Sequence, residues 1–320
     1  MTGCGLVRSS SVVMAFALGL VAAPGPSACA CDTAQKKDGV PIAELWVDPG
    51  DLTRRDAFHG PGGPESLPST DTEFEVTGVD TTGFSGGYNV TDGERRWDVK
   101  IGREAQSEVV VSRALWLVGY HQPVVHFLPT WRRKGDPGRE QASARFRVQS
   151  DHDSEGEWAW RENPFTGTRE LKGLVVINLL FNNWDFKTSN NRIYTVQSRP
   201  PAPARWFVVQ DLGASLGKSG WPIGNRNDIE GFESQRFIKG VENGLIQFDY
   251  RGRHREVLED ITPADVLWAC RLVDRITDQQ WADIFRAAAY ASDPSARFRA
   301  HLASKVAECL ALDPDSRVKP

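Results

Sequence analysis

The segments NNWDFKTSNNRIY (182–194) and VVQDLGAS (208–215) decide how this chain is read. The first sets Asp185, Lys187 and Asn190 in the spacing D-x-K-x-x-N, and the second brings Asp211, followed by Leu-Gly, out of an apolar run. Phosphoryl transfer needs a carboxylate to orient the attacking hydroxyl, a cation beside the moving group, and an amide with a second carboxylate to hold Mg²⁺. Taken singly, each residue has a plainer account. Asp185 can cap a turn, Asn190 and Asn191 tolerate left-handed geometry, and Asp-Leu-Gly can end a strand. Turn chemistry does not supply their joint order.

The same chemistry asks for a lysine on a sheet strand and a helical glutamate that orients it. WDVKIG (97–102) places Lys100 on a strand, and Glu108 follows one to two turns into the next helical segment, with Glu104 as a rival partner. The separation of Lys100 from Glu108 is much tighter than in ordinary protein kinases. Before that strand, TGVDTTGFSGGYNV (77–90) carries Gly83, Gly86 and Gly87, whose backbone N–H groups can come close to phosphate, although G-x-G-x-x-G is absent.

The pattern around these residues is sheet first and helices after. FEVTGV, GGYNVTD and RRWDVKIG read as strands of a small antiparallel sheet, EAQSEVVVSRALWLVGY (104–120) as a helix stopped near Gly119, and QPVVHFLP (122–129) as a further strand. Composition then turns polar through 130–157, which reads as a surface excursion between two lobes, with WRRKGDPGRE (131–140) as solvated loop. GTRELKGLVVINLL reads as a buried helix that delivers Asp185 to its C-terminal loop, and IYTV and WFVVQDLG as two strands joined by a Pro-rich hairpin. Three helical segments follow from about 261, with Thr or Asp at their N-caps. The expected division is 1–30 leader, 31–72 linker and extended arm, 73–130 N-lobe and 131–320 C-lobe.

The leader has Arg8, then VVMAFALGLVAA (12–23), then small residues, the layout of a secretory signal peptide. Ala28-Cys29-Ala30 offers a cleavage site before Cys31, and Ser27-Ala28-Cys29 also resembles a lipoprotein box with Pro26 out of place. The mature protein is therefore expected in the periplasm, cell envelope or medium, on a membrane only through such a lipid anchor. A net charge of −4 gives no general pull toward nucleic acid. Cleavage leaves at most three of the five cysteines, too few for a disulfide-stapled scaffold; Cys270 and Cys309 either pair or stay as buried thiols. The six histidines are scattered, no CxxC occurs, and a zinc site is not expected. Most of the eleven tryptophans, among them Trp158, Trp160, Trp184 and Trp221, read as packing residues.

Over roughly residues 73–310 the chain resembles the protein-kinase-like superfamily, on Lys100, Glu108, D-x-K-x-x-N and Asp211-Leu-Gly in that order. RWDVKIGREAQSEVVVSRALWLVGY and NPFTGTRELKGLVVINLLFNNWDFKTSNNRIY resemble more closely a group of exported bacterial proteins, largely uncharacterised. The resemblance implies an α+β, two-lobed fold binding ATP with Mg²⁺, or Mn²⁺ in its place. Lys100 would contact phosphates and pair with Glu108, Asp185 would be the base, and Lys187 would neutralise the γ-phosphoryl group. Asn190 and Asp211 would hold metal, with Asn191 the alternative ligand if the loop register slips. The acceptor, protein or small molecule, stays open: no His-Arg precedes Asp185, Leu212 stands where phenylalanine is usual, and no Ala-Pro-Glu follows Asp211. Because ATP is scarce outside the cytoplasm, a catalytically silent kinase-fold scaffold is the second reading. A secreted hydrolase is disfavoured because the scattered histidines lack an evident nucleophile partner.

Overall fold

The computed structural model describes Met1 and residues 36–37, 39–81, 85–136, 138–149, 154–196, 204–220 and 224–314. The leader, with Cys29 and Cys31, lies outside the described residues, as do Gly83, Trp221 and the Pro-rich 197–203. Among the described residues no helix is long and apolar enough to cross a membrane.

The fold is α+β. Strands β1 (Glu73–Asp80), β2 (Gly87–Thr91) and β3 (Arg96–Ile101) run antiparallel and lead into α1 (Glu104–Leu117). The sheet continues through β4 (Val125–Leu128), β5 (Trp131–Arg133), β6 (Glu140–Gln141) and β7 (Ala144–Val148), in the spatial order β4-β7-β3-β2-β1-β5-β6. Successive side chains of a strand point to opposite faces. On one face Phe74, Val90, Trp97, Val99, Trp131, Ala144 and Phe146 pack into a core of their own. The alternate residues Asp98, Lys100, Arg145 and Arg147 therefore share the other face.

Two expectations are corrected here. The break between lobes falls after Val148 rather than at about 130, because β5, β6 and β7 belong to the sheet and β7 pairs with both β3 and β4. ARFRV at 144–148 reads as polar, yet its arginines take one face of a strand whose other face is core. The stretch expected as linker and arm is a packed strap from residue 39 onward. Leu45, Leu52 and Ala57 are buried in the main core, Trp46 Nε1 donates to the Val118 carbonyl at 2.7 Å, and Arg95 donates to the carbonyls of Ser66 and Glu65 at 2.9 Å each. Gly119 ends α1 at φ +104°, where a Cβ would lie 2.2 Å from the Val47 carbonyl oxygen, so the strap itself demands glycine there.

The second lobe begins with β8 (Ser154–Gly156), which pairs with β9 (Asn191–Thr195), itself paired with β10 (Arg205–Val209). Between β8 and β9 runs α2 (Arg169–Leu180), N-capped by Thr168 and buried along nearly its whole length. A short helix α3 (Ile229–Glu233) and the hairpin β11 (Ile238–Glu242)–β12 (Leu245–Phe248) precede α4 (Pro263–Asp274), α5 (Asp278–Ala287) and α6 (Ser292–Leu310). Thr262 and Thr277 each close a capping box, as their sequence suggests, while α6 starts at Ser292 behind Ala291 with no side-chain cap.

A disulfide joins Cys270 on α4 to Cys309 on α6 across 39 residues of chain, with Cα atoms 6.3 Å apart. Closing a loop of that length in the unfolded chain is worth about 4 kcal/mol in the chain-entropy treatment. Reduction, or the double change Cys270→Ser and Cys309→Ser, should lower unfolding free energy by about 3–4 kcal/mol in denaturant titrations. A thiol reagent that labels both cysteines in the unreduced, unfolded chain would contradict the pairing.

Lys305 on α6 is buried, donating to the Leu180 carbonyl at 3.0 Å and Asn182 Oδ1 at 2.6 Å. Burial lowers its pKa to about 7, against the opposing pull of Glu308 and Asp249. Between about pH 7 and the unfolded value of 10.5 the unfolded chain thus holds a proton that the native chain lacks, so stability rises with pH. The slope from this group approaches about 1.4 kcal/mol per pH unit in that window and vanishes below it. The difference in unfolding free energy between wild type and Lys305→Met should therefore grow from pH 7 to 10. Parallel curves would refute a buried neutral lysine.

Candidate active site

Lys100 lies near the C-terminal end of β3 and is opposite Gly87, the first residue of β2, across the ladder. Its Nζ is 3.0 Å from Glu108 Oε2, 2.9 Å from Asp211 Oδ1 and 3.5 Å from Glu104 Oε2. Burial acts to lower the Lys100 pKa, yet Glu108 and Asp211 outweigh it and the ammonium stays charged. Glu108 is the nearer of the two rival glutamates and the more central. It is 1% exposed and also meets Arg145 Nε at 2.9 Å and Arg147 Nη1 at 3.5 Å. The Lys100 and Arg145 contacts are ionic rather than well-aligned hydrogen bonds. Glu104, whose pKa burial raises, accepts from Ser85 Oγ at 3.1 Å and forms an ion pair with Arg226, whose Nε is 2.5 Å away. It thereby links the glycine-rich turn to the segment after Asp211.

Asp211 follows β10. Burial would raise its pKa, but Lys100 and the Gly213 amide hold it down to about 2, and the carboxylate is ionised. Gly213 lets α1 pack on this segment, since a Cβ there would sit 2.6 Å from Glu104 Cβ. The Asn190 carbonyl accepts from the amides of Gln210 (2.8 Å) and Asp211 (3.2 Å), which fixes Asn190 beside Asp211. Asn190 Nδ2 donates to the Asp185 carbonyl at 2.8 Å, leaving Oδ1 for other partners. Asp185 receives Lys187 Nζ at 2.8 Å, and its own amide bonds to Asn183 Oδ1 at 3.1 Å.

A cavity of about 420 Å³ opens between the lobes, lined by Gly86, Gly87, Lys100, Asn190 and Asp211 with Asp98, Arg147 and Gln210. That size suits a small-molecule ligand. Asp185 and Lys187 do not line it; they reach it through Asn190. Asn191 is corrected as a ligand: it is fully buried with Nδ2 on the Trp158 carbonyl at 2.9 Å, facing away from the cavity. Trp158, Trp160 and Trp184 are buried packing residues. For Mg²⁺, a carboxylate and a side-chain amide oxygen on one cavity wall are hard oxygen donors of the right kind. Asp211 and Asn190 fit that need.

Sequence reasoning missed Asp98, Arg145, Arg147 and Arg226. Strand alternation gives the signal for three of them: in WDVKI and ARFRV the charged residues occupy the face that Lys100 marks. Arg226 lies in an irregular segment with no periodicity to read.

A curled, mainly antiparallel sheet with one helix, a helical lobe after it, and a strand lysine paired to a helical glutamate beside an Asp-x-Gly carboxylate together make a kinase-like fold. Among solved structures the chain is similar to a Helicobacter pylori proinflammatory kinase, CtkA, at 10% identity and a TM-score of 0.48, over 76% of this chain and 98% of that one. A likeness of that degree carries no residue role across. No protein-family model matches the chain, and no curated protein matches it.

Proposed function

We propose that this protein is an exported kinase-like phosphotransferase that uses a Mg²⁺-bound purine nucleoside triphosphate, ATP or GTP, to phosphorylate a hydroxyl on an acceptor not yet identified. The observation that carries this is Lys100 held between Glu108 and Asp211 at 3.0 and 2.9 Å on the wall of a cavity that Gly86, Gly87 and Asn190 share. Lys100 would bind phosphate oxygens, and the backbone of the glycine-rich turn would cover them. Asp185 would accept the proton of the acceptor hydroxyl as its oxygen bonds to the γ-phosphorus and the bond to the β-phosphate oxygen breaks. Lys187, half-exposed beside Asp185, would meet the charge of the transferred group. Mg²⁺, held by Asp211 and Asn190, would neutralise charge on the phosphates. Export is supported by the signal-like leader together with the Cys270–Cys309 pair, since disulfides persist in oxidising compartments.

A thermal-shift titration tests binding. Saturating Mg-ATP should raise the melting temperature by several degrees, as ligand at about 100 times Kd adds about 2.7 kcal/mol. Incorporation of labelled phosphate into protein or small-molecule extracts then tests transfer, with Asp185→Asn keeping the shift and losing transfer. Binding without any transfer, or no shift with any nucleotide, would favour the silent scaffold.

A further inference from the structure

At the end of the cavity away from the glycine-rich turn, the wall is charged. Asp98 precedes Lys100 by one pleat repeat on the same strand face, roughly 6.8 Å away, and it lines the cavity together with Arg145 and Arg147. With phosphates at Lys100 and Gly87, the base of a nucleotide would lie along this part of the wall. Asp98 Oδ1 accepts from Arg145 Nη1 at 3.1 Å, and Oδ2 accepts from Arg147 Nη2. Neither arginine is free to swing away: Arg145 Nε is 2.9 Å from Glu108, and Arg147 Nη1 donates to the Gln210 carbonyl at 3.2 Å. The carboxylate is thereby fixed in plane and kept ionised, burial being overcome by Arg147 and Arg145. Each carboxylate oxygen has two acceptor positions, so each keeps one unused. The Asp98 side chain is 32% exposed and lines the cavity.

An ionised carboxylate with both oxygens available matches two neighbouring N–H donors. Guanine presents that pair, N1–H and the N2 amine, on its pairing edge. Adenine places a bare N1 lone pair there beside one amine, and a carboxylate repels the lone pair. We infer that Asp98 selects the purine of the phosphate donor, and that the cavity prefers Mg-GTP to Mg-ATP. This rests on the nucleotide reading above.

Thermal-shift and equilibrium titrations with Mg²⁺ complexes of GTP, ITP and ATP test it. One bidentate pair of this kind should make GTP about 10- to 100-fold tighter than ATP. ITP, which keeps N1–H and lacks the amine, should fall between. Asp98→Asn retains one acceptor and gains an N–H donor, the pairing that suits adenine, so its preference should reverse toward ATP. A structural role alone would weaken all three nucleotides together and leave their order unchanged. ATP binding as tightly as GTP, or ITP indistinguishable from GTP in wild type, would overturn the inference and leave the nucleotide site intact, even if the variant does not fold. No shift with any of the three would overturn the nucleotide reading itself.

Discussion

Asp211→Ala is expected to abolish the stabilisation that wild type gains from a Mg²⁺-nucleotide and to lower phosphoryl transfer by about 10³-fold or more. The carboxylate has two tasks in this geometry. It meets Lys100 at 2.9 Å, and with Asn190 it offers the cavity the oxygen donors suited to a hard cation. In the free protein its removal should be mild, because Lys100 keeps Glu108 at 3.0 Å and Glu104 at 3.5 Å, and the Asp211 side chain is 40% exposed. The variant should therefore fold, melt within a few degrees of wild type without ligand, and show no further shift on adding nucleotide. An undiminished shift and undiminished transfer would remove Asp211 from the site. Asn190→Ala should act in the same direction but less strongly, since an amide contributes one neutral oxygen donor.

Glu108→Ala should act on the fold before it acts on function. Its carboxylate touches Lys100, Arg145 and Arg147, and Arg145, like Glu108 itself, is 1% exposed. Without Glu108 those three cations would share Asp98, Asp211 and Glu104, and buried Arg145 would lose its Nε partner with no water to replace it. Breaking a buried pair in this way costs about 3–5 kcal/mol, a large part of the 5–15 kcal/mol that holds a typical domain together. The melting temperature should fall by roughly 10 °C or more, with β3 and α1 losing hydrogen-exchange protection ahead of the helical lobe. Glu108→Gln, which keeps an acceptor of the same shape, should recover part of the loss. A Glu108→Ala protein as stable as wild type would mean that the cluster is not what joins α1 to the sheet. The contrast with Asp211 is the informative part: two carboxylates on one lysine, one expected to serve ligand and the other to serve structure.

The elements legible in the sequence are those whose local signals agree. The strands 73–80, 87–91 and 96–101 alternate, α1 stops before a glycine that the strap requires, and Thr262 and Thr277 cap the helices they precede. Polar stretches hid what tertiary packing supplies. Residues 131–148 read as surface because their arginines dominate composition, yet each arginine on β7 is turned toward the cleft while Ala144 and Phe146 close the sheet's own core. The strap at 39–67 has too few apolar residues to read as an element, and it is ordered by contacts with Val118, Gly119 and Arg95 made from elsewhere in the chain.

By itself the sequence determined the types and order of the groups that chemistry would use, because D-x-K-x-x-N, Asp211 and the strand lysine lie within short spans that fix their spacing. Only the tertiary structure decided which glutamate serves Lys100, that Asn190 rather than Asn191 lies beside Asp211, and that Asp98 and two arginines complete the cavity wall. Those choices depend on β7 lying beside β3, on α1 packing across the sheet and on β9 pairing with β10, contacts that join residues about twenty to fifty positions apart. Long-range pairing of that kind leaves no mark in local spacing, since a buried charge reveals its partners only once the fold has excluded water from around it.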